Sequence, residues 1–359
     1  MRRHNRVLVR DAFVAGAVFL LIAVLVLGGW RLRDAIVHGS NVPHHSVDTA
    51  SRRRPSTRGA TSGASATPPP ALGLYTGPGA ATLARSVNGD VGGKVTYALD
   101  FQPASTWTAL SDPSWLTGSW SNTPFRMVVA VPMLPSSGGT LAQGAAGAYD
   151  GAFTLLAQRL VSSGLGGAVL MVGWQPESSQ NPWQVSTAAQ AVQYVAFWDH
   201  IHAAMAAVAG AHFQFEWDAG EPGTQLTPAT LYPGNQAVDI VAEDAFDVGL
   251  DSAAPQDQWT TLADRPYGPS WAASFAARHG KQFALGMCGL VPVVNGGAGD
   301  NPAFLTAALE WARAAHATMV LLWDYASWAV TGGAFPQADA ALVHAVGQGV
   351  VGGSAPAAP

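Results

Sequence analysis

Two apolar patterns take turns along most of this chain. Short, nearly unbroken apolar runs stand at residues 72–75 (LGLY), 95–101 (VTYALDF), 127–133 (MVVAVPM) and 168–172 (AVLMV). Four more follow, at 213–217 (FQFEW), 238–242 (VDIVA), 282–287 (QFALGM) and 318–323 (TMVLLW). Runs of this length fit strands buried on both faces, as in a parallel sheet. Between several of them lie alanine-rich stretches with helical spacing, at 151–162, 187–208 and 302–315. Asn301-Pro302 marks one helix start: asparagine caps, and proline has the preset φ and lacks only an N–H that would be unbonded anyway. Eight strands interleaved with helices over about 280 residues is the count of a (β/α)8 TIM barrel, an α/β fold. An open doubly wound sheet is the competing architecture, but no glycine-rich phosphate loop follows the first run.

The flanks have a different character. Residues 12–30 (AFVAGAVFLLIAVLVLGGW) carry no charge. As a helix they would extend roughly 28 Å, enough to cross a bilayer core. A signal anchor is favoured over a cleaved signal peptide, because the run is long and no A-x-A site precedes Arg31. Four arginines in residues 1–11 argue for a cytoplasmic N-tail and a globular part outside the cell membrane, although six more follow the span. Secretion after cleavage is the alternative. Residues 31–70 are rich in Ser, Thr, Pro and Gly and read as a disordered linker. The barrel is expected at 71–350, followed by a disordered tail at 351–359.

Charge narrows the function classes. Residues 71–359 hold eight basic and twenty acidic side chains, a net of −12. A domain with no basic patch is a poor nucleic-acid binder. The single cysteine, Cys288, excludes an intrachain disulfide and a cysteine-built zinc site. The histidines show no HExxH or other convincing ligand pair, so neither a metal nor a cofactor is expected.

In a barrel of this kind functional side chains stand at the C-terminal strand ends. The candidates there are Asp100, Met133, Trp174 to Glu177, Trp217, Asp218, Glu243, Asp244, Met287, Trp323 and Asp324. Acids interleaved with tryptophans suit a carbohydrate: carboxylates bond hydroxyls, and indole faces cover the apolar side of a pyranose.

From about residue 72 to 349 the chain resembles glycoside hydrolase family 26, the β-mannanase-like barrels. The blocks that carry the resemblance include GLYTG at Gly73, VPMLP at Val131, GAYDGAF at Gly147, FEWDAG at Phe215, LYPGNQAVDIVAEDAFD at Leu231 and GDNPAFL at Gly299. The resemblance implies a retaining glycosidase with a general acid/base in a G-W-E-x-N-G-x-W-x-P-W pattern on strand four. Here Gly173, Trp174, Pro182 and Trp183 keep step, but Gln175 replaces the acid and Glu177 the asparagine. On strand seven Lys281, Ala284, Leu285 and Gly289 match, with Met287 where the nucleophilic Glu is implied.

Retaining hydrolysis needs two carboxyls about 5 Å apart. An amide cannot protonate the leaving oxygen at neutral pH, and a thioether cannot attack the anomeric carbon. The expected function is therefore binding of a β-linked polysaccharide or oligosaccharide, of mannan or β-glucan type. Trp174, Trp183, Trp217 and Trp323 would be platforms, with Asp100, Gln175, Asp244 and Asp324 as polar contacts. The alternatives are an active glycosidase using displaced acids (Glu177, Asp218 or Glu243) and a non-catalytic structural or assembly protein of the cell envelope.

Overall fold

The computed structural model describes residues 68–220, 226–250 and 252–354. Eight parallel strands close into a barrel in sequence order. They are β1 (Ala71–Tyr75), β2 (Val95–Phe101), β3 (Arg126–Val131), β4 (Val169–Val172), β5 (Gln214–Asp218), β6 (Ile240–Phe246), β7 (Gln282–Gly289) and β8 (Met319–Trp323). Each apolar run of the sequence has become a strand. The sixth departs most, starting at Ile240 and continuing through Glu243 and Asp244 to Phe246. Two acids end the apolar run but not the strand, because their backbones still pair with β7.

The longer helices are α1 (Ala81–Asp90), α2 (Asp150–Ser162), α3 (Ala188–Ala206), α4 (Pro269–His279), α5 (Pro302–Ala314) and α6 (Pro336–Gly347). Asn301 caps α5 as its sequence implies, its Oδ1 accepting from the Phe304 N–H at 3.1 Å. Thr187 and Gln190 cap α3 reciprocally, which satisfies backbone donors that a helix start leaves open. Between β5 and β6 the described residues hold a 3-10 turn, Pro228–Leu231, in place of a long helix.

Successive strand residues face opposite sides, and β5 shows which side is which. Phe215 packs on Trp198 of α3, with ring centroids 6.0 Å apart, so it faces the helical layer. Gln214 faces the lumen, where its Oε1 accepts from Arg126 Nη2 of β3 at 2.7 Å. The same guanidinium donates to the Tyr97 hydroxyl of β2 at 3.3 Å. This polar group closes the lower lumen. By the same alternation Glu216 and Asp218 stand above Gln214, facing inward.

The end of the chain corrects one expectation. Gly353 bridges to Ala71, the Gly352 and Gly353 N–H groups donate to the Pro70 carbonyl at 2.9 and 3.1 Å, and Val351 is buried. Residues 351–353 therefore belong to the barrel rather than to a tail. Residues 355–359, the apolar segment 12–30 and the linker up to residue 67 lie outside the described residues. Among the described residues no helix is long and apolar enough to cross a membrane.

Candidate functional site

The loop after β4 is held in an unusual shape. Gly173 has φ +61°, and a Cβ there would collide with the Met133 sulfur. Gln175 has φ +45°, a left-handed conformation that costs a non-glycine residue on the order of 1 kcal/mol. Hydrogen bonds hold the backbone against that cost. The Gln175 N–H donates to Asp218 Oδ2 at 3.0 Å. Asn181 Nδ2 donates to the carbonyls of Trp174 and Gln175 at 3.1 and 2.9 Å, and Trp183 Nε1 donates to the Trp174 carbonyl at 2.9 Å.

A β-bulge shapes the opposite wall. Glu243 pairs with Leu285 and Asp244 with Met287, so Gly286 is the extra residue on β7. Paired residues of parallel strands share a face, which puts Met287 on the same side as Asp244. That side is the lumen: a Cβ on Gly286 would lie 3.0 Å from Ala242 Cβ and 3.5 Å from both Asp244 Oδ1 and Glu216 Oε1. Gln175 Nε2 reaches across to donate to Asp244 Oδ2 at 2.8 Å. Gln175, Asp218, Asp244 and Met287, all singled out from sequence, thus meet at the top of the lumen.

Burial dominates the electrostatics. Glu216 is wholly buried, and its pKa is pushed up to about 8 by burial and then by the nearby Asp218. Asp218 is pushed up to about 6, because burial outweighs the hydrogen bonds from the Gln175 and Gly220 N–H groups. Asp244 is raised well above the carboxylate range, first by burial and then by Asp218; the Gln175 amide opposes this, and Glu177 and Glu216 add to it. Glu177 lies against the turn after β5, where a Cβ on Gly220 would be 2.8 Å from its Oε2.

Several sequence candidates are employed elsewhere. Asp100 is engaged by the protein itself: its Oδ2 accepts from the Gly79 N–H at 2.8 Å and from Trp120 Nε1 at 2.6 Å, and its Oδ1 from the Phe101 N–H at 2.8 Å. Asp324 accepts from the Thr331 N–H at 2.9 Å and hydroxyl at 2.6 Å, which fastens the segment after β8. Trp217 is fully buried and packs on Tyr232 and Phe275 of the helical layer, at 5.1 and 5.7 Å. It cannot be a platform, because one residue's offset along β5 turns it away from the lumen. Glu243 likewise faces opposite to Asp244, which removes it as a displaced acid beside Gln175.

Two of the remaining tryptophans serve the loop more than the cleft. Trp183 is 3% exposed and pins the β4 loop. Trp174, 5% exposed, sits edge-on to Phe101 at 5.2 Å and to Trp183 at 4.8 Å. Trp323 is half-buried and lies against Tyr75, with centroids 4.4 Å apart. Of the four expected platforms it is the one with an appreciable open surface.

The residue that the sequence reading missed is Glu216. Its signal was present in Gln214-Phe215-Glu216-Trp217-Asp218: if Asp218 faces the lumen, so does Glu216. Among the described residues no group of three His, Cys, Asp or Glu side chains is disposed to hold a metal ion. Cys288 is buried, and its thiol is pushed up to about 12 by burial and then by Asp247 and Asp244, so it is a poor nucleophile.

No protein-family model matches this sequence, and no curated protein matches it. Solved structures do match. A GH26 β-mannanase from Bacteroides ovatus is 13% identical with a TM-score of 0.53, over 79% of this chain and 90% of its own. A β-mannanase from a symbiotic protist of the termite Reticulitermes speratus, complexed with gluco-manno-oligosaccharide, is 14% identical with a TM-score of 0.51, over 79% and 88%. An endo-β-1,4-mannanase double mutant from Cellulomonas fimi is 17% identical with a TM-score of 0.52, over 81% and 76%. At such identities the likeness speaks to the fold, and in its fold this chain is a glycoside hydrolase family 26-like barrel.

Proposed function

We propose that this chain is a membrane-anchored, extracytoplasmic barrel that binds a β-linked polysaccharide of mannan or β-glucan type and lacks retaining hydrolysis. The observation that carries the reading is that Gln175 hydrogen-bonds Asp244, whose register partner on the neighbouring strand is Met287. Positions 175 and 287 are the two where the sequence resemblance implies the acid/base and the nucleophile. An amide in the first can orient a glycosidic oxygen but has no proton to give. A thioether in the second leaves the double-displacement route without its covalent intermediate. Loss of general acid catalysis alone is worth about 10²–10⁴ in rate. The half-buried Trp323 supplies apolar surface for a sugar face, and the lumen carboxyls supply hydrogen-bond acceptors.

The anchoring rests on the uncharged run at residues 12–30, with the barrel outside and the arginine-bearing N-tail inside. A fluorescent reporter fused to either end, with protease access measured on intact cells, tests that arrangement.

One observation favours a second reading, an active glycosidase using Asp218. Its carboxyl faces the lumen and stays protonated to about pH 6, so it has a proton to donate under mildly acidic conditions.

The deciding experiment compares the full chain with its Gln175→Glu/Met287→Glu variant on mannan, mixed-linkage β-glucan and related polysaccharides. Wild type is expected to bind one of these and release no reducing ends, and the variant to gain hydrolysis. The Gln175→Glu carboxyl would sit beside Asp244 and so keep its proton, as a general acid requires. Turnover by wild type would overturn the binding-only reading in favour of Asp218.

A further inference from the structure

We propose that the cleft prefers β-1,4 glycans with all-equatorial rings, glucose chains above mannose chains, because one wall of the mouth is a run of aromatic rings. The proposal rests on the saccharide-binding reading and names the sugar class. Register and strand alternation fix which rings face the mouth. Asp244 and Met287 are lumen-facing partners, and two residues further along their strands stand Phe246 and Gly289, again paired. Cys288, one residue from Met287, faces outward and pairs with Leu322, so Trp323 turns inward. Tyr75 pairs with Trp323 between β1 and β8 and shares its face.

These side chains make one surface. Strand β7 lies between β6 and β8, and Gly289 lets their side chains meet over it. A Cβ there would lie 3.3 Å from both Phe246 Cε1 and Trp323 Cβ. The Phe246 and Trp323 ring centroids are 6.4 Å apart. The loop after β8 extends the row at both ends: Trp328 stands 5.7 Å from Phe246, and Tyr325 stands 5.5 Å from Tyr75. Phe246, Trp323, Tyr325 and Trp328 are each half-buried, so all four keep surface open to solvent. The acids of this wall do not interrupt it. Asp324 accepts from Thr331 and Asp247 Oδ1 from the Val291 N–H at 2.6 Å, and both aspartates are buried.

Stereochemistry then selects the sugar. Successive sugars of an extended β-1,4 chain turn over, so a wall that touches two of them meets both faces of the ring. In glucose both faces carry only axial hydrogens, and each can lie against an aromatic side chain. In mannose the hydroxyl at C2 is axial and stands out from one face. Every second mannose would press that hydroxyl on an aromatic ring, where it loses water and gains no equivalent hydrogen bond. A wall of open carboxylates or amides would welcome the axial hydroxyl, and this wall presents aromatic rings instead.

The test is calorimetry of the full chain in detergent with β-1,4 hexamers of glucose and of mannose. The glucose hexamer is expected to bind at least about tenfold more tightly, the factor that one stranded hydroxyl implies. Trp328→Ala, in the 3-10 turn after β8, should weaken the glucose hexamer severalfold and the mannose hexamer less, so that the ratio narrows. Tyr325→Ala should act in the same way from the other end of the row. The ranking of the two hexamers on wild type needs no variant to fold. Equal or tighter binding of the mannose hexamer would overturn this proposal and leave the broader reading standing. A glucose preference unchanged in both variants would overturn the aromatic wall as its source. No binding of either hexamer would overturn the saccharide-binding reading as well.

Discussion

Aspartates stand at strand ends on both sides of the barrel mouth, and the two sides use them differently. On the β8–β1–β2 side, Asp100 and Asp324 spend both oxygens on nearby donors. On the β4–β5–β6 side, Asp244 and Glu216 keep oxygens with no donor among the described residues. The first pair is scaffold, since removing either carboxylate strands donors of the protein itself. The second pair has acceptors to spare, which is the condition for meeting something that is not part of the protein. Hydrogen-bond saturation separates Asp100 and Asp324 from Glu216 and Asp244, although all four are acids at strand ends.

The largest expected effect tests the saturated side. Asp100→Ala strands the Trp120 indole N–H and the Gly79 and Phe101 amides, and should cost about 3 kcal/mol of stability at neutral pH. Urea denaturation of Asp100→Ala beside Asp244→Asn measures the contrast, with the second variant expected within about 1 kcal/mol of wild type. Equal losses would erase the distinction between the two sides.

A pH series probes the unsaturated side. The pKa of Glu216 rises on folding from an ordinary 4.5 to about 8. A raised carboxyl contributes its full stability below the unfolded value and loses it as pH climbs toward the folded value. Wild type should therefore weaken between pH 5 and 8. Glu216→Gln, which cannot ionise, should escape that loss. The gap in unfolding free energy between the two proteins is expected to widen over this window by a few kcal/mol at most, on the order set by about 1.4 kcal/mol per pKa unit. A constant gap would show that Glu216 is not held protonated.

The smallest effect sharpens the assignment of Trp183. Trp183→Phe keeps the ring packing on Trp174 but removes the hydrogen bond to its carbonyl, a loss of about 1 kcal/mol. Saccharide affinity should be unchanged in the folded variant. A marked fall in affinity would restore Trp183 as a ligand platform.

Much of the fold was legible in the chain. Eight apolar runs foretold eight strands because a strand enclosed in a barrel must be apolar over nearly its whole length. Asn301-Pro302 foretold a helix start because its chemistry is local. The site was less legible, and β5 shows why. Reading FQFEWD as a strand end gathered Trp217 and Asp218 together as candidates, although alternation forces them to opposite faces. Period two alone would have paired Asp218 with Glu216 and sent Trp217 to the helices. Asp100 and Asp324 could not have been sorted from Asp244 this way, because their donors come from Gly79, Trp120 and Thr331, whose approach depends on the folded loops.

By itself, then, the sequence determined the barrel, the strand count and the unusual residues at positions 175 and 287, because local periodicity and side-chain chemistry are properties of the chain alone. Tertiary structure decided the left-handed turn at Gln175, the bulge at Gly286 and the carboxyls that are left without donors. Each of these depends on how distant segments meet: β4 on β5 through Gln175 and Asp218, β6 on β7 through a shifted register. Hydrogen-bond saturation is a property of such meetings, and no single stretch of sequence carries it.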